Sequence, residues 1–342
     1  AISAKYEVTN NVTAFFEGTY GKVKSSSQIE ASAMGFGAGV GAADLPFGYA
    51  IDNPFIPTSI ASAIAAANSD ANPDNDITSI SFARRQNEVF TRSNNNSRET
   101  FRIAGGFRGA ITDKWNFEVA GVYGRLKDRT ATQDVDLTKY AYALDAVRDS
   151  SGNIVCRDEA ARAAGCAPIN LFGYNTASAT ASQYVQASIP RSNTVTNTQF
   201  VATATADGSL ITLPYGDVLV AVGAEYRREK SISDWDDLTN AGNNSGNLTP
   251  DTIGKFNVKE VFGEIDVPLV KDVRFINSLS IKGAARYSDY SSIGTVFSWN
   301  AGGEYSPVRG LQFRGNYAVA NRAPNIGEMY QAPAETFPTG NN

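Results

Sequence analysis

The chain has 342 residues and a formal net charge of −5, with 30 glycines, 15 tyrosines and 18 phenylalanines but no histidine and only two cysteines. The acidic balance argues against a nucleic-acid-binding protein, for which a basic surface is expected. The lack of histidine excludes Ser-His-Asp and Cys-His catalysis by residues of this chain. No long uninterrupted apolar run occurs, which excludes a transmembrane helix.

A two-residue alternation of apolar and polar side chains dominates the chain. Successive residues of a β-strand point to opposite faces of a sheet, so this period predicts strands. The pattern is clearest where Leu311, Phe313 and Tyr317 alternate with Gln312 and Arg314. It predicts ten spanning strands, near residues 2–9, 12–25, 98–109, 115–128, 194–206, 216–231, 255–269, 276–290, 294–306 and 311–322.

The connections between these strands alternate in length. Short connections are expected near residues 9–11, 110–114, 207–216, 270–275 and 306–310. Long loops are expected near residues 28–97, 129–193 and 233–254. Outer-membrane barrels have short periplasmic turns and long outer loops. With ten spanning strands, every long loop lies on the same side of the membrane. This requires that residues 80–94 extend the first long loop and do not form a membrane-spanning strand.

The long loops contain segments with helical character, at residues 59–69, 136–149 and 157–164. Together these features predict an all-β fold. The expected architecture is a partial antiparallel transmembrane β-barrel of about ten spanning strands, with long extracellular loops that carry short helices. A soluble β-sandwich is the alternative, because it would bury the apolar strand faces against a second sheet.

Several segments carry motifs that occur together in one family. A Glu-rich strand ends in Val-Pro at residues 264–268, residues 285–290 read Ala-Arg-Tyr-Ser-Asp-Tyr, and an Arg-Ala-Pro triplet is followed shortly by a glutamate. The motif residues are Pro168, Asn170, Phe172, Gly173, Arg286, Tyr287, Arg322, Ala323, Pro324 and Glu328. In combination they resemble the barrel of a TonB-dependent outer-membrane receptor.

The resemblance implies a transporter and not an enzyme. A receptor of this family takes up a scarce nutrient, such as a ferric siderophore or an oligosaccharide, across the outer membrane of a Gram-negative bacterium. The implied partners are outer-membrane lipid, the TonB–ExbB–ExbD complex acting through a plug domain, the small-molecule or oligosaccharide ligand, and in some members a surface lipoprotein. No cofactor is implied. A passive porin or structural barrel is the alternative function.

The resemblance covers only part of a receptor. The segments that resemble the family include no plug domain, no TonB box and no strands beyond residues 322–324. The ten predicted strands compare with about 22 in such transporters. The first residues already read as a strand and a turn. We therefore expect residues 1–342 to be part of one barrel domain of a longer chain.

Charged residues on the polar sides of the strands are candidate contacts to the plug or the ligand. They are Arg102, Arg108, Glu225, Arg227, Glu264, Lys282 and Arg314. A simpler interpretation also holds, since any wet or plugged lumen needs polar residues and opposite charges on neighbouring strands pair with each other.

The long loops contain two candidate sites, one for a disulfide bond and one for a calcium ion. Cys156 and Cys166 lie in one polar loop, and exported proteins meet an oxidising compartment, so we predict a disulfide between them. Acidic and amide residues at every second position copy the ligand spacing of a calcium loop. They are Asp70, Asn72, Asp74 and Asp76. Since Asn75 replaces the usual glycine and Ser81 the usual glutamate, a solvated turn is the alternative.

Overall fold

Ten long antiparallel strands form a single sheet in the computed structural model, which describes residues 1–36, 44–45 and 48–333. The elements up to residue 132 are β1 (Ile2–Thr9), β2 (Val12–Ile29), β3 (Ala33–Phe36), β4 (Asp44–Leu45), β5 (Tyr49–Ala50), α1 (Thr58–Ala67), a 3₁₀ turn (Pro73–Asn75), β6 (Ser79–Ile80), β7 (Phe82–Arg85), β8 (Arg92–Thr112) and β9 (Trp115–Thr132). Part of the first predicted long loop, residues 37–43 and 46–47, lies outside the described residues, as do residues 334–342.

The second half of the chain completes the sheet. Its elements are α2 (Leu137–Leu144), β10 (Ala146–Arg148), β11 (Ile154–Cys156), α3 (Glu159–Ala163), α4 (Ala179–Val185), β12 (Arg191–Leu213), β13 (Gly216–Trp235), α5 (Asp237–Asn240), β14 (Thr252–Val273), β15 (Ile276–Tyr290), β16 (Gly294–Val308), β17 (Leu311–Val319) and α6 (Ile326–Tyr330). The strand order is β1-β2-β8-β9-β12-β13-β14-β15-β16-β17, so each long strand pairs with the next one along the chain.

All ten predicted strands are confirmed, but most are longer than predicted. The outer loops are correspondingly shorter and cover residues 30–91, 133–190 and 236–251. The turn predicted over residues 207–216 is wrong, because β12 continues to Leu213 and only two residues connect it to β13. Asp207 and its neighbours look like a turn in the sequence, but Asp207 pairs with Asn116 on one side and Ala221 on the other. Two flanking strands override the local turn preference.

The loop elements match the predictions in part. Residues 80–94 do not form a spanning strand: β6 and β7 belong to small separate sheets, and only residues 92–94 extend β8. The helix predicted at 136–149 ends at Leu144, and β10 and β11 follow as a hairpin. The Asp149 carboxylate accepts the N–H groups of Ser151 and Asn153 and so stabilises the turn of that hairpin.

One face of the sheet is apolar along its whole width. We call it the apolar face, and the opposite one the polar face. The strand register places on it Ala14, Phe16, Ile103, Gly105, Phe107, Val119, Gly121, Ala202, Ala204, Val222, Ala224, Val261, Gly263, Ile265, Ile281, Gly283, Ala285, Ala301, Gly303, Gly315 and Tyr317. None of these positions is charged, and Phe107 is 51% exposed. An uncovered apolar surface of this extent marks contact with lipid or with another protein.

Across the described part of the chain, no helix combines the length and apolar character needed to cross a membrane.

Candidate functional site

The outer loops pack together into a folded unit at one end of the sheet. We define the cap as the described residues within 30–91, 133–190 and 236–251. Its core consists of buried residues from the first two loops: Met34, Phe36, Tyr49, Val89, Phe90, Val135, Tyr140, Ala143, Leu144, Ile169, Leu171, Ala181 and Val185. A shared core means that these loops hold one another in place, which the loop composition alone did not reveal.

Two buried tyrosines join the first loop to the second. The Tyr49 hydroxyl donates to the Ile169 carbonyl at 2.9 Å and accepts the Leu171 N–H at 2.9 Å. The Tyr140 hydroxyl donates to Gln86 Oε1 at 2.7 Å. Burial raises the pKa of both phenols well above the usual value of 10. Both therefore stay neutral and keep these hydrogen bonds throughout the physiological pH range.

The third loop is tied to the second by polar contacts. The Leu137 N–H donates to the Asn243 carbonyl at 3.1 Å, and the Asn243 side chain donates to Asp136 at 3.2 Å. The buried Asp134 accepts the Ser245 N–H at 3.2 Å and pairs with Arg191 at 3.4 Å. All three outer loops are thus connected within one cap.

The cysteines reinforce the second loop. The sulfur atoms of Cys156 and Cys166 lie 2.01 Å apart, the distance of a disulfide bond. On the chain-entropy account, closing so short a loop contributes about 2–3 kcal/mol. Next to it, Arg157 pairs with Asp52 at 2.7 Å and Asp145 at 2.8 Å, which raises its pKa and links this loop to the first one.

An aromatic pocket of about 450 Å³ opens on the cap surface. The Tyr49 ring stacks on Phe82 and is tilted against Phe172, with centroid distances of 5.4 Å and 4.8 Å, respectively. At the rim, Tyr174 is 78% exposed. Arg85 and Asn87 supply polar groups to the lining. A concave site with aromatic walls and a few polar groups is the usual form of a ligand pocket.

The motif at residues 168–173 builds the rim of this pocket. The Asn170 side chain accepts the Phe172 N–H at 3.0 Å, and Gly173 has a φ of +112°, which only glycine adopts without strain. Arg84 donates to the carbonyls of Leu171 at 2.8 Å and Gly173 at 3.2 Å. This backbone geometry determines the positions of Phe172 and Tyr174, the two aromatic residues at the rim. Arg84 itself was missed in the sequence, because its partners lie almost 90 residues away.

The Arg-Ala-Pro motif forms a second self-contained unit. Arg322 pairs with Glu328 through two hydrogen bonds of 3.1 and 2.5 Å, across the turn made by Ala323 and Pro324. The Glu328 carboxylate also accepts the Asn325 N–H at 2.8 Å, which completes a capping box for α6.

This unit docks on β14 at a glycine. A Cβ atom on Gly254 would lie 2.4 Å from Ile326 and 2.6 Å from Tyr330. The Tyr330 hydroxyl donates to the Lys255 carbonyl at 3.2 Å. Only glycine at this position lets α6 approach the strand so closely.

We expect the docking of α6 to depend on pH. Arg322 and the Asn325 N–H hold the pKa of Glu328 below its usual value of 4.5, so the contact is complete above that value and is lost as the pH falls through the lowered pKa. A nitroxide spin label on M329C should be immobile at about pH 6 and mobile at a pH low enough to protonate the Glu328 carboxylate. In E328Q it should be mobile throughout. A label that stays immobile at both pH values in the unsubstituted background would contradict this role of the ion pair.

All seven candidate lumen residues lie on the polar face. Lys282 pairs with Glu304 at 3.0 Å and Asp266 at 3.5 Å. Arg227 lies 3.0 Å from Glu229 and 3.6 Å from Glu225. Lys282 thus forms the cross-strand pairs that the simpler interpretation expects, whereas Arg227 pairs with acidic residues two positions away on its own strand.

The other candidate charges of the polar face are arranged similarly. Arg102 pairs with Glu17 at 3.4 Å, and the Arg108 guanidinium lies 5.3 Å from the centroid of the Phe15 ring. The remaining two candidates are Glu264 and Arg314. Of the other motif residues, Arg286 pairs with the buried Glu260 at 3.3 Å on this face, while Tyr287 lies on the apolar face.

Comparison with known families decides between the two architectures that the alternation allows. A family model described as TonB dependent receptor-like, beta-barrel, matches residues 38–342. The chain belongs to the TonB-dependent receptor family. A search of the curated proteins finds no match.

The membership assigns the two faces of the sheet. TonB-dependent receptors are outer-membrane transporters of Gram-negative bacteria. In a membrane barrel the apolar face meets lipid and the polar face lines the lumen, with long loops outside. The soluble sandwich is thereby excluded. Long loops of such barrels lie on the outer side of the membrane, and the cap consists of the three long loops of this chain.

The predicted calcium loop of the receptor has a different organisation. Asp70 accepts the Asn72 N–H at 2.9 Å and the Asn75 side chain at 3.1 Å, while Asn72 accepts the Asp74 N–H at 3.2 Å. The hydrogen bonds from the Asn72 N–H and the Asn75 side chain hold the pKa of Asp70 below its usual value. Among the described residues, no group of three or more acidic, cysteine or histidine side chains could hold a metal ion. The structure therefore gives no support to calcium at Asp70, Asn72, Asp74 and Asp76.

Proposed function

We propose that residues 1–342 are part of one receptor barrel that imports a scarce nutrient in a TonB-coupled cycle. The ligand is a ferric siderophore or an oligosaccharide, and the energy reaches the receptor from the TonB–ExbB–ExbD complex through a plug domain. The disulfide of Cys156 with Cys166 belongs to the mature protein. A surface lipoprotein is a further partner that the family allows.

The observation that carries this proposal is the buried core of the cap. A passive porin selects by size and charge and needs no ordered binding surface at its mouth. Here the outer loops bury Tyr49, Tyr140 and Leu144 almost completely. Loops that are already ordered bind a ligand at a lower entropic cost, which favours capture at low concentration.

The aromatic pocket is the proposed capture site. Exposed aromatic rings bury a large apolar area with little loss of side-chain freedom, and they stack on sugar rings or on planar chelating groups. We assign first contact to Phe172 and Tyr174, with Arg85 and Asn87 as polar partners. The lumen charges, including Arg102, are proposed to contact the plug or the passing ligand.

Uptake by cells that express the full-length receptor tests the proposal. The ligands are ferric chelates of catecholate and hydroxamate type and a series of neutral oligosaccharides. We expect saturable uptake of one class, which stops when an uncoupler removes the proton gradient. Uptake that continues unchanged with the uncoupler would support the passive porin instead.

A matched pair of variants tests the pocket. We expect Y174A to raise the half-saturating ligand concentration by about tenfold, because it removes an exposed stacking ring. The control is Y142A, which removes a partly exposed tyrosine from α2 outside the pocket lining. Equal uptake by Y174A and the unsubstituted receptor would contradict the assigned pocket.

A further inference from the structure

A belt of positive charge continues the apolar face of the sheet toward the cap. Because side chains alternate along a strand, the positions two, four and six residues beyond the last apolar ones remain on the same face. No register shift interrupts the pairing there. We call these residues the basic belt: Lys22, Lys24, Arg125, Lys127, Arg129, Arg228, Lys230, Lys255 and Lys259.

A row of aromatic rings separates the basic belt from the apolar surface below it. Its members are Tyr20, Phe101, Tyr123, Phe200, Tyr226, Tyr287 and Phe297. Neighbouring rings touch: Phe101 lies 6.3 Å from Tyr123 and Phe200 lies 6.4 Å from Tyr226, between centroids. Aromatic girdles mark the boundary between the hydrocarbon and the headgroups. The basic belt therefore lies at headgroup level, on the outer side of the membrane.

The charge of the basic belt is mostly uncompensated. Acidic residues on the same rows are limited to Glu99, Asp234 and Asp289. Among the described residues, the basic belt forms one ion pair, between Lys22 and Glu99. The register places Lys230 directly opposite Lys255. Like charges opposite each other destabilise a sheet, so the arrangement calls for anions from outside the protein.

Part of the basic belt lines a groove of about 680 Å³ across β2, β8 and β9. Its basic members are Lys24, Lys127 and Arg129, with the paired Lys22 beside them. Hydroxyl and amide groups lie between the charges: Ser26, Asn95 and Ser97. Clustered ammonium and guanidinium groups with neutral donors between them suit a phosphate group.

We propose that this groove binds the phosphate groups of a glycolipid in the outer leaflet. The position of the groove identifies a lipid as the source of the phosphate. The groove opens on the lipid-facing surface immediately above the aromatic row, so a headgroup whose acyl chains pack on the apolar face reaches it directly. This inference rests on the assignment of the apolar face to lipid and is independent of the transported ligand.

Retention of lipid by the purified full-length receptor tests this inference. The test variant is K24A/K127A/R129A. The control is K114A/R274A/R309A, which removes the same charge from three short turns at the opposite end of the sheet. The probe is lipid A, a bisphosphorylated glucosamine disaccharide, added in mixed micelles and counted by native mass spectrometry. We expect the unsubstituted receptor and the control to retain it, and the test variant to bind at least about tenfold more weakly.

Two further arms separate lipid from free phosphate. Dephosphorylated lipid A should bind the unsubstituted receptor as weakly as lipid A binds the test variant. Inorganic phosphate at millimolar concentration should leave lipid A bound. Equal retention by the test variant and the control would overturn the proposal. Full displacement by inorganic phosphate would also overturn it, because the groove would then be a site for a soluble anion.

Discussion

We expect Y49A to unfold the cap while leaving the barrel intact. Tyr49 is fully buried, packs against the rings of Phe82 and Phe172, and bridges Ile169 and Leu171 through its hydroxyl. Truncation of a buried aromatic residue costs about 3–5 kcal/mol. Because the cap core is small, a loss of this size should open it. Protection of the cap loops from protease on intact cells, together with ligand uptake, measures the effect.

Two other variants separate the structural role of Tyr49 from ligand recognition. Y49F keeps the ring but leaves a buried carbonyl and a buried N–H without their partner, and should cost about 1–3 kcal/mol. Y174A should keep full protease protection and lose only uptake, since its side chain is exposed. Heat-dependent migration of the barrel on a gel should be unchanged in all three. Full protection of the Y49A cap would show that the core does not hold the loops.

The second large effect concerns the lipid-facing surface. Val222 is on the apolar face of β13, six residues from the start of the strand and about 15 Å above the short turns. An arginine near the centre of the hydrocarbon costs a transmembrane barrel about 2–4 kcal/mol. We therefore expect V222R to lower the free energy of unfolding in lipid vesicles by that amount, as measured by urea titration.

The neighbouring residue is a matched control. Ala221 points to the polar face, where it lines a groove of about 530 Å³ that also contains Glu264 and Asp266. An arginine there finds both space and opposite charge, so A221R should be close to neutral. Similar losses in the two variants would contradict the assignment of the faces, because only a lipid-facing position penalises the charge.

The cap and the basic belt give the outer end of the receptor two separate tasks. The aromatic pocket of the cap is the proposed capture site for the ligand. The basic belt meets the headgroups that surround the barrel. Phosphates bound in the proposed groove would neutralise the clustered charges of Lys24, Lys127 and Arg129 and so stabilise the outer ends of the strands that carry them.

The alternation in the sequence was enough to predict the ten long strands and the facing of most of them, but it left the facing of the Thr-rich strand near residues 194–206 open. A two-residue period is a local property, and one apolar and one polar face follow from it without knowledge of any partner. The family motifs were also recognisable in the sequence. In the structure, their side chains hold the local backbone through hydrogen bonds, as Asn170 and Glu328 do. A disulfide between Cys156 and Cys166 could be predicted because the two residues are close along the chain.

Only the tertiary structure decided how the loops fold and what they form. The contacts that make the cap join residues about 90 to 120 positions apart, such as Tyr49 with Ile169 and Arg84 with Leu171. A sequence pattern gives no register between such segments. The basic belt likewise became visible when strand pairing brought its members into common rows, because each contributing strand alone supplies only two or three of the charges.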